Sequence, residues 1–165
     1  MTVIVRKMKE EDIPQVQQVA KKSWNATYDG IIPDEVQENF LKSAYSDTMM
    51  RKRFDISHLF VAETEGRVTG FANFSPVNEA GKAELGAIYL LPDQQGRGTG
   101  TMLLELGLET IEGIQELTVD VEKDNKIGMN FYKAKGFEKV GEYDDDFNGH
   151  ILRTIRMVLH QAPQK

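Results

Sequence analysis

The chain contains no cysteine, which rules out disulfides, thiolate metal sites and an acyl group carried on sulfur. Any acyl transfer by this protein would have to run directly from donor to acceptor. Histidine is scarce as well. His58 and His150 each open a predicted strand and His160 closes one, so no spacing suggests a metal pair and no metal is expected. No apolar run approaches the ~20 residues that a membrane helix needs. Residues 1–7 hold only Val3-Ile4-Val5 between polar neighbours, short of the ~7 to 15 residues of a secretory apolar region. A cytoplasmic protein without membrane contact is expected. Basic residues are in deficit, with 20 Lys and Arg against 26 Asp and Glu for a formal charge of −6. That balance argues against nucleic-acid binding, which rests on basic contacts to phosphates. It mildly favours a cationic small-molecule partner, although an acidic surface also serves solubility.

What is present fits one globular domain over residues 1–165: 40% hydrophobic and 28% charged residues, with no repeat or low-complexity linker. A homodimer of such domains is compatible with the composition. Residues 3–8 read as a strand, followed by a helix that opens on acidic residues and Pro14 and keeps Ile13, Val16, Val19 and Ala20 at helical spacing as far as Tyr28. After the break Gly30-Ile31-Ile32-Pro33, residues 34–45 form a second predicted helix and residues 48–54 a short helical piece. Residues 59–64 and 67–75 read as strands joined by Glu65-Gly66. Strand 83–91, helix 98–112, strand 116–121 and helix 125–135 follow. A closing hairpin of 137–143 and 150–159 is expected across the acidic turn at 144–149, with a frayed tail from 161.

The most informative segment is Gln95-Gly96-Arg97-Gly98-Thr99-Gly100, set between an apolar strand and a Leu-rich helix. First-turn N–H groups of a helix have no internal partners, and a glycine loop leading into them makes an anion site. Glycines also remove the Cβ atoms that would hold a diphosphate away from the backbone. Two better-known phosphate loops are excluded. The pattern G-x-x-x-x-G-K-[ST] is absent, and a G-x-G-x-x-G motif would need glycine where Thr101 or Leu103 stands.

The pattern Q-x-x-G-x-G after a strand ending Tyr89-Leu90-Leu91-Pro92 resembles the acetyl-coenzyme A loop of the GNAT superfamily of N-acetyltransferases. A second block, Asn125 to Phe137, is similar to that family's N-x-x-A-x-x-F-Y-x-x-x-G-F, with Gly128 in place of the usual alanine. The resemblance implies an α/β fold: a mixed, strongly twisted sheet of about seven strands with about four helices, splayed between the fourth and fifth strands to admit acetyl-CoA. It also implies direct transfer of an acetyl group to a primary amine in a ternary complex. A non-catalytic acetyl-CoA sensor with the same fold is the rival reading.

The resemblance assigns roles residue by residue. Gln95, Gly96, Arg97, Gly98, Thr99, Gly100 and Thr101 would hold the coenzyme diphosphate, Arg97 being equally readable as a solvated loop arginine. The backbone of Ile88, Tyr89 and Leu90 would run beside the pantetheine arm, with the Ile88 N–H polarising the acetyl carbonyl and the Asn125 amide touching the arm. Tyr132 stands at the position of the general acid. Glu84 lies eleven residues before Gln95, the separation that family members with a strand glutamate base show. Strict alternation would put Glu84, Gly86, Ile88 and Leu90 on one face and Leu85, Ala87, Tyr89 and Leu91 on the other. A merely solvated strand glutamate is the alternative for Glu84. The segment around Trp24 and Tyr28 more loosely resembles the substrate-side helices of small bacterial members, including PaiA-type spermidine/spermine N-acetyltransferases. It implies an aromatic wall for an alkyl ammonium, and core packing is the competing use of the pair. A polyamine is the favoured acceptor, with an aminoglycoside-like amine or a protein amino terminus as alternatives.

Overall fold

In the computed structural model, residues 2–161 other than Asn148 are described. The tail beyond Gln161, expected to fray, lies outside them. Seven strands form one sheet in the order β1-β2-β3-β4-β5-β7-β6. They are β1 (Val3–Lys7), β2 (His58–Thr64), β3 (Arg67–Phe74), β4 (Lys82–Leu90), β5 (Glu116–Glu122), β6 (Glu138–Phe147) and β7 (His150–His160). Among the described residues five α-helices accompany them: α1 (Ile13–Tyr28), α2 (Asp34–Ala44), α3 (Asp47–Ile56), α4 (Thr99–Thr110) and α5 (Lys126–Ala134). The fifth is α3, which runs longer than the short piece expected because the Ser46 hydroxyl accepts the Met49 N–H and caps it.

All strand pairs are antiparallel except β4 with β5, the two strands that α4 connects. Their ladder spans only three residue pairs, from Lys82 opposite Glu116 to Glu84 opposite Thr118. Beyond Glu84 the strands part, and the sheet is open between its fourth and fifth strands.

The core is divided by the sheet. On one face Leu103 and Leu104 of α4 and Met129 and Tyr132 of α5 pack against Phe60, Phe74, Leu85 and Leu117. On the other, Val16 and Val19 of α1 and Met50 of α3 pack against Val61, Phe71 and Ala87. Trp24, Tyr28, Ile32 and Leu152 form a third cluster beside the second.

Two expectations are corrected. The register of β3 with β4 steps from Asn73 opposite Ala87 to Phe74 opposite Leu85, so Gly86 is an extra residue on β4. Such a bulge reverses the phase of the strand. Leu85 therefore shares the α4 face with Ile88 and Leu90, whereas Ala87 and Tyr89 face α1. Glu84, whose neighbours Ala83 and Leu85 both sit in the α4-side core, turns to the α1–α3 side and is not on one face with Ile88 and Leu90. The acidic turn is the second correction. Pairing of β6 with β7 continues through Asp144, Asp145 and Asp146 to Phe147 opposite His150. Arg153 of β7 binds both Glu142 and Asp144, which offsets the carboxylate repulsion that argued for a turn there.

Candidate active site

The parting of β4 from β5 opens a cleft of about 380 Å³, floored by Leu85 to Leu90 of β4 and Val119 to Val121 of β5. The loop before α4, one side of α5 and the end of α1 close it. The Leu91 N–H donates to the Thr69 carbonyl across β3. Alternation along an antiparallel pair then gives Tyr89 and Ala87 to β3 as well and turns the main-chain groups of Ile88 and Leu90 the opposite way. There β5 has already left, so this stretch of strand edge faces the cleft without a ladder partner.

The α4 end of the cleft is built for an anion. Gly98 caps the helix in the left-handed region at φ 79°, with no side chain occupying the first-turn N–H groups. Thr99, Gly100 and Thr101, which carry those donors, line the cleft wall with Gln95, Gly96 and Gly98. Among the described residues the Thr99 hydroxyl, buried there, has no hydrogen-bond partner, and neither has the side-chain amide oxygen of Gln94 just before the loop. Gly100 lines the cleft wall and also has a packing role. A Cβ on it would stand 3.1 Å from the Phe131 ring, so its bare backbone lets α4 and α5 close on each other. Arg97 is exposed and is not part of the cleft wall.

From α5 come Asn125 and Tyr132. The Asn125 side chain caps the helix by accepting the Gly128 N–H at 3.0 Å. It lies so close over residue 128 that a Cβ there would be 2.7 Å from the amide nitrogen, which accounts for glycine where the resemblance expects alanine. Tyr132 is wedged between Phe131 and Phe137, with ring centroids 5.5 and 5.4 Å away. Burial pushes its phenol well above the ordinary tyrosine range, with the nearby Tyr28 adding to the rise. Burial raises Tyr28 and Tyr89 too. Three protonated phenols thus line one cleft.

Of the aromatic pair on α1, the structure brings only Tyr28 to the cleft. Trp24 is stacked on Phe40 at 4.4 Å and on Phe147 at 5.6 Å, inside the third cluster. Its indole N–H is buried, with no hydrogen-bond partner among the described residues. Glu84 stands outside the cleft as well. It is exposed in a neighbouring pocket with Arg53, Ser57, Asn73 and Ser75 that touches the cleft at Gly86.

Sequence reasoning missed several wall residues. Ser23 and Thr27 of α1 sit one turn apart on the helix face beside Tyr28, and that spacing was the available signal. Ile127 of α5, 69% exposed, forms an apolar rim, and Phe131 lines the same wall. Asp120 of β5 reaches the cleft while accepting two hydrogen bonds from Arg156, at 2.9 and 3.1 Å, and one from the Tyr143 hydroxyl at 2.8 Å. Burial draws Asp120 up, but these partners outweigh it and hold the carboxylate below its usual range. Glu122, buried at the end of β5, is pushed the other way by its burial, although backbone N–H groups of Asp124 and Asn125 donate to its carboxylate.

An extended thioester bearing a diphosphate fits these features. The α4 terminus offers uncapped donors and an orphaned hydroxyl, β4 offers a free strand edge, and a protonated phenol stands along the same cleft. Comparison with known proteins agrees. The Acetyltransferase (GNAT) family profile matches residues 20–137. The uncharacterized N-acetyltransferase YuaI of Bacillus subtilis is 35% identical over 159 residues, covering 93% of this chain and 90% of that protein. A spermidine N(1)-acetyltransferase of Thermoplasma acidophilum is 31% identical over 156 residues, covering 89% of this chain and 95% of the relative. Among solved structures, the PaiA N-acetyltransferase of Thermoplasma acidophilum in complex with coenzyme A superposes with a TM-score of 0.84 at 26% identity, covering 98% of this chain and all of the other.

Proposed function

The chain belongs to the acetyltransferase (GNAT) family, and on that footing we propose that it transfers the acetyl group of acetyl-CoA directly to a primary amine of a small, polyamine-like molecule. The observation that carries this reading is one cleft in which the unpaired edge of β4 leads to the uncapped start of α4, with the Tyr132 phenol on its wall. The relatives named for spermidine support the polyamine end of it.

Acetyl-CoA would supply an acetyl group on a thioester, activated toward amines without metal or cofactor help. The first-turn N–H groups of α4 and the loop from Gln95 to Thr101 hold the diphosphate. Main-chain groups of Ile88 and Leu90, with the Asn125 amide, fix the pantetheine arm. The Ile88 N–H stabilises the negative charge that develops on the acetyl oxygen, a contribution worth roughly 3 kcal/mol for one well-placed donor. Glu84 takes the proton of the acceptor ammonium through water, since its carboxylate stands outside the cleft. The Tyr132 phenol gives a proton to the departing sulfur. Burial keeps that phenol protonated at neutral pH.

Release of free thiol tests the reading. Mixed with acetyl-CoA and a panel of polyamines, amino acids, aminoglycosides and peptides, the protein should liberate coenzyme A with at least one amine. Saturable acetyl-CoA binding with no thiol released by any amine would make it a sensor instead.

A further inference from the structure

We propose that the groove on the outer face of α5 is a second ligand site, built for a small organic anion with an apolar body, and that its occupant tightens coenzyme binding through the helix the two sites share. The proposal goes beyond acetyl transfer and stands apart from it. Helix α5 is lined on two faces. Ile127, Gly128, Phe131 and Tyr132 look into the cleft, whereas Lys126, Met129, Asn130 and Lys133 form one wall of a separate groove against β6 and β7. Cleft and groove have no wall residue in common among the described residues. The groove measures about 310 Å³, at the small end of the ~300 to 1,000 Å³ of ligand pockets.

Charge selects the occupant. Lys123, Lys126, Lys133 and Lys139 surround the groove beside a single carboxylate, Glu142, in a chain whose formal charge is −6. That carboxylate is already shared among three cations: Arg153 Nε at 2.6 Å, Lys139 Nζ at 3.0 Å and Lys123 Nζ at 3.8 Å. Lys126 and Lys133 make no ion pair among the described residues. Lys126 also opens α5, where the helix dipole disfavours a cation, and no acidic residue of the first turn offsets it. Ammonium groups gathered without counter-charge repel one another, and an anion seated among them reverses that term. A polyamine is repelled by the same field, which separates this groove from amine recognition.

The floor selects the rest of the molecule. Met129 and Ile155 are 9% and 4% exposed, and the methylene stems of the lysines extend their apolar surface. Asn130 adds an amide whose hydrogens can be donated to the same anion. An aliphatic carboxylate uses both the cations and the floor, whereas inorganic phosphate uses the cations alone. An occupant that touches α5 and the β6–β7 pair together ties the helix to the sheet. The helix has only nine residues, and Gly128 lowers its propensity. Tying it down fixes Phe131 and Tyr132 on the cleft wall, so the two ligands strengthen each other's binding by the same factor.

Octanoate is the probe, titrated calorimetrically into the protein both free and saturated with coenzyme A, with inorganic phosphate and octylamine as controls. Octanoate should bind one site in both states, at least about tenfold more tightly than phosphate, and octylamine should not bind the coenzyme-saturated protein. Coenzyme A affinity should rise about fivefold at saturating octanoate. The double variant Lys126→Ala, Lys133→Ala should weaken octanoate about tenfold and remove that rise, with Lys126→Arg, Lys133→Arg retaining both and urea denaturation showing each variant folded. Displacement of octanoate by coenzyme A would put it in the cleft and overturn the site. So would phosphate binding as tight as octanoate, octanoate binding indifferent to the alanine variant, or no octanoate binding at all. A coenzyme A affinity that ignores octanoate would overturn the coupling. Co-sedimentation with phosphatidylglycerol vesicles, lost in the alanine variant, would assign the lysines to a membrane surface and overturn the free ligand.

Discussion

Tyr132 illustrates how much a single side chain owes to its surroundings. Phe131 and Phe137 clamp the Tyr132 ring in the cleft wall, and burial keeps the phenol protonated while making it a weaker acid than an exposed tyrosine. Tyr132→Phe keeps the packing and removes the proton. It should lower kcat by roughly a hundredfold while the dissociation constant for acetyl-CoA stays unchanged, and equal turnover in the two proteins would remove Tyr132 from the acid role. Glu84→Gln should lower kcat while the dissociation constant for acetyl-CoA stays unchanged. Equal turnover would pass that task to another group. At this scale the sequence was partly legible. The positions of Tyr132, Asn125 and the loop residues followed from two motifs, because those motifs fix both chemistry and spacing. Asp120 did not follow, because its place in the cleft depends on Arg156 and Tyr143, two strands that reach it only after folding. Trp24 and Tyr28 looked equivalent as an i, i+4 pair, and only the packing of Phe40 and Phe147 on the indole separates core from cleft.

Elements were the most legible level, since hydrophobic periodicity and caps are local properties. Strand alternation failed on β4 for a physical reason: one inserted glycine moves half the strand to the other face, and no periodicity announces it. The acidic run of β6 misled for a similar reason, because its neutralising partner Arg153 sits on the next strand. Helix α4 carries a constraint that its sequence also conceals. Gly107 packs so tightly on β3 that a Cβ would overlap the Phe74 ring, inside the core. Gly107→Ala should cost about 1 to 3 kcal/mol in urea denaturation, even though alanine favours helix. A stabilised variant would mean that Phe74 moves freely and that α4 is not seated by this contact.

The whole molecule should respond to pH from both ends. Tyr28, Tyr89 and Tyr132 all have folded pKa values raised by burial, so their share of stability is complete below the unfolded value of ~10 and is lost as pH rises beyond it. Asp12, held below its usual range chiefly by the Arg6 hydrogen bonds, works in the opposite direction, as does Asp120. Their contribution is present above the unfolded value of ~3.9 and disappears as pH falls through their lowered folded values. Glu122 is raised by burial and partly counters them, since its share is lost as pH rises above ~4.3. The melting temperature should therefore drop steeply above pH ~10 and below pH ~4, and a flat alkaline profile would contradict the burial of the three phenols.

Everything in the mechanism depends on backbone donors at the start of α4 meeting a diphosphate beside the open edge of β4. Calorimetric titration with acetyl-CoA examines this directly. Saturable binding at one site per chain, weakened when Gly98→Ala strains the left-handed cap by about 1 kcal/mol, is the expected result. No heat at millimolar acetyl-CoA, or full affinity after the loop is strained, would contradict it.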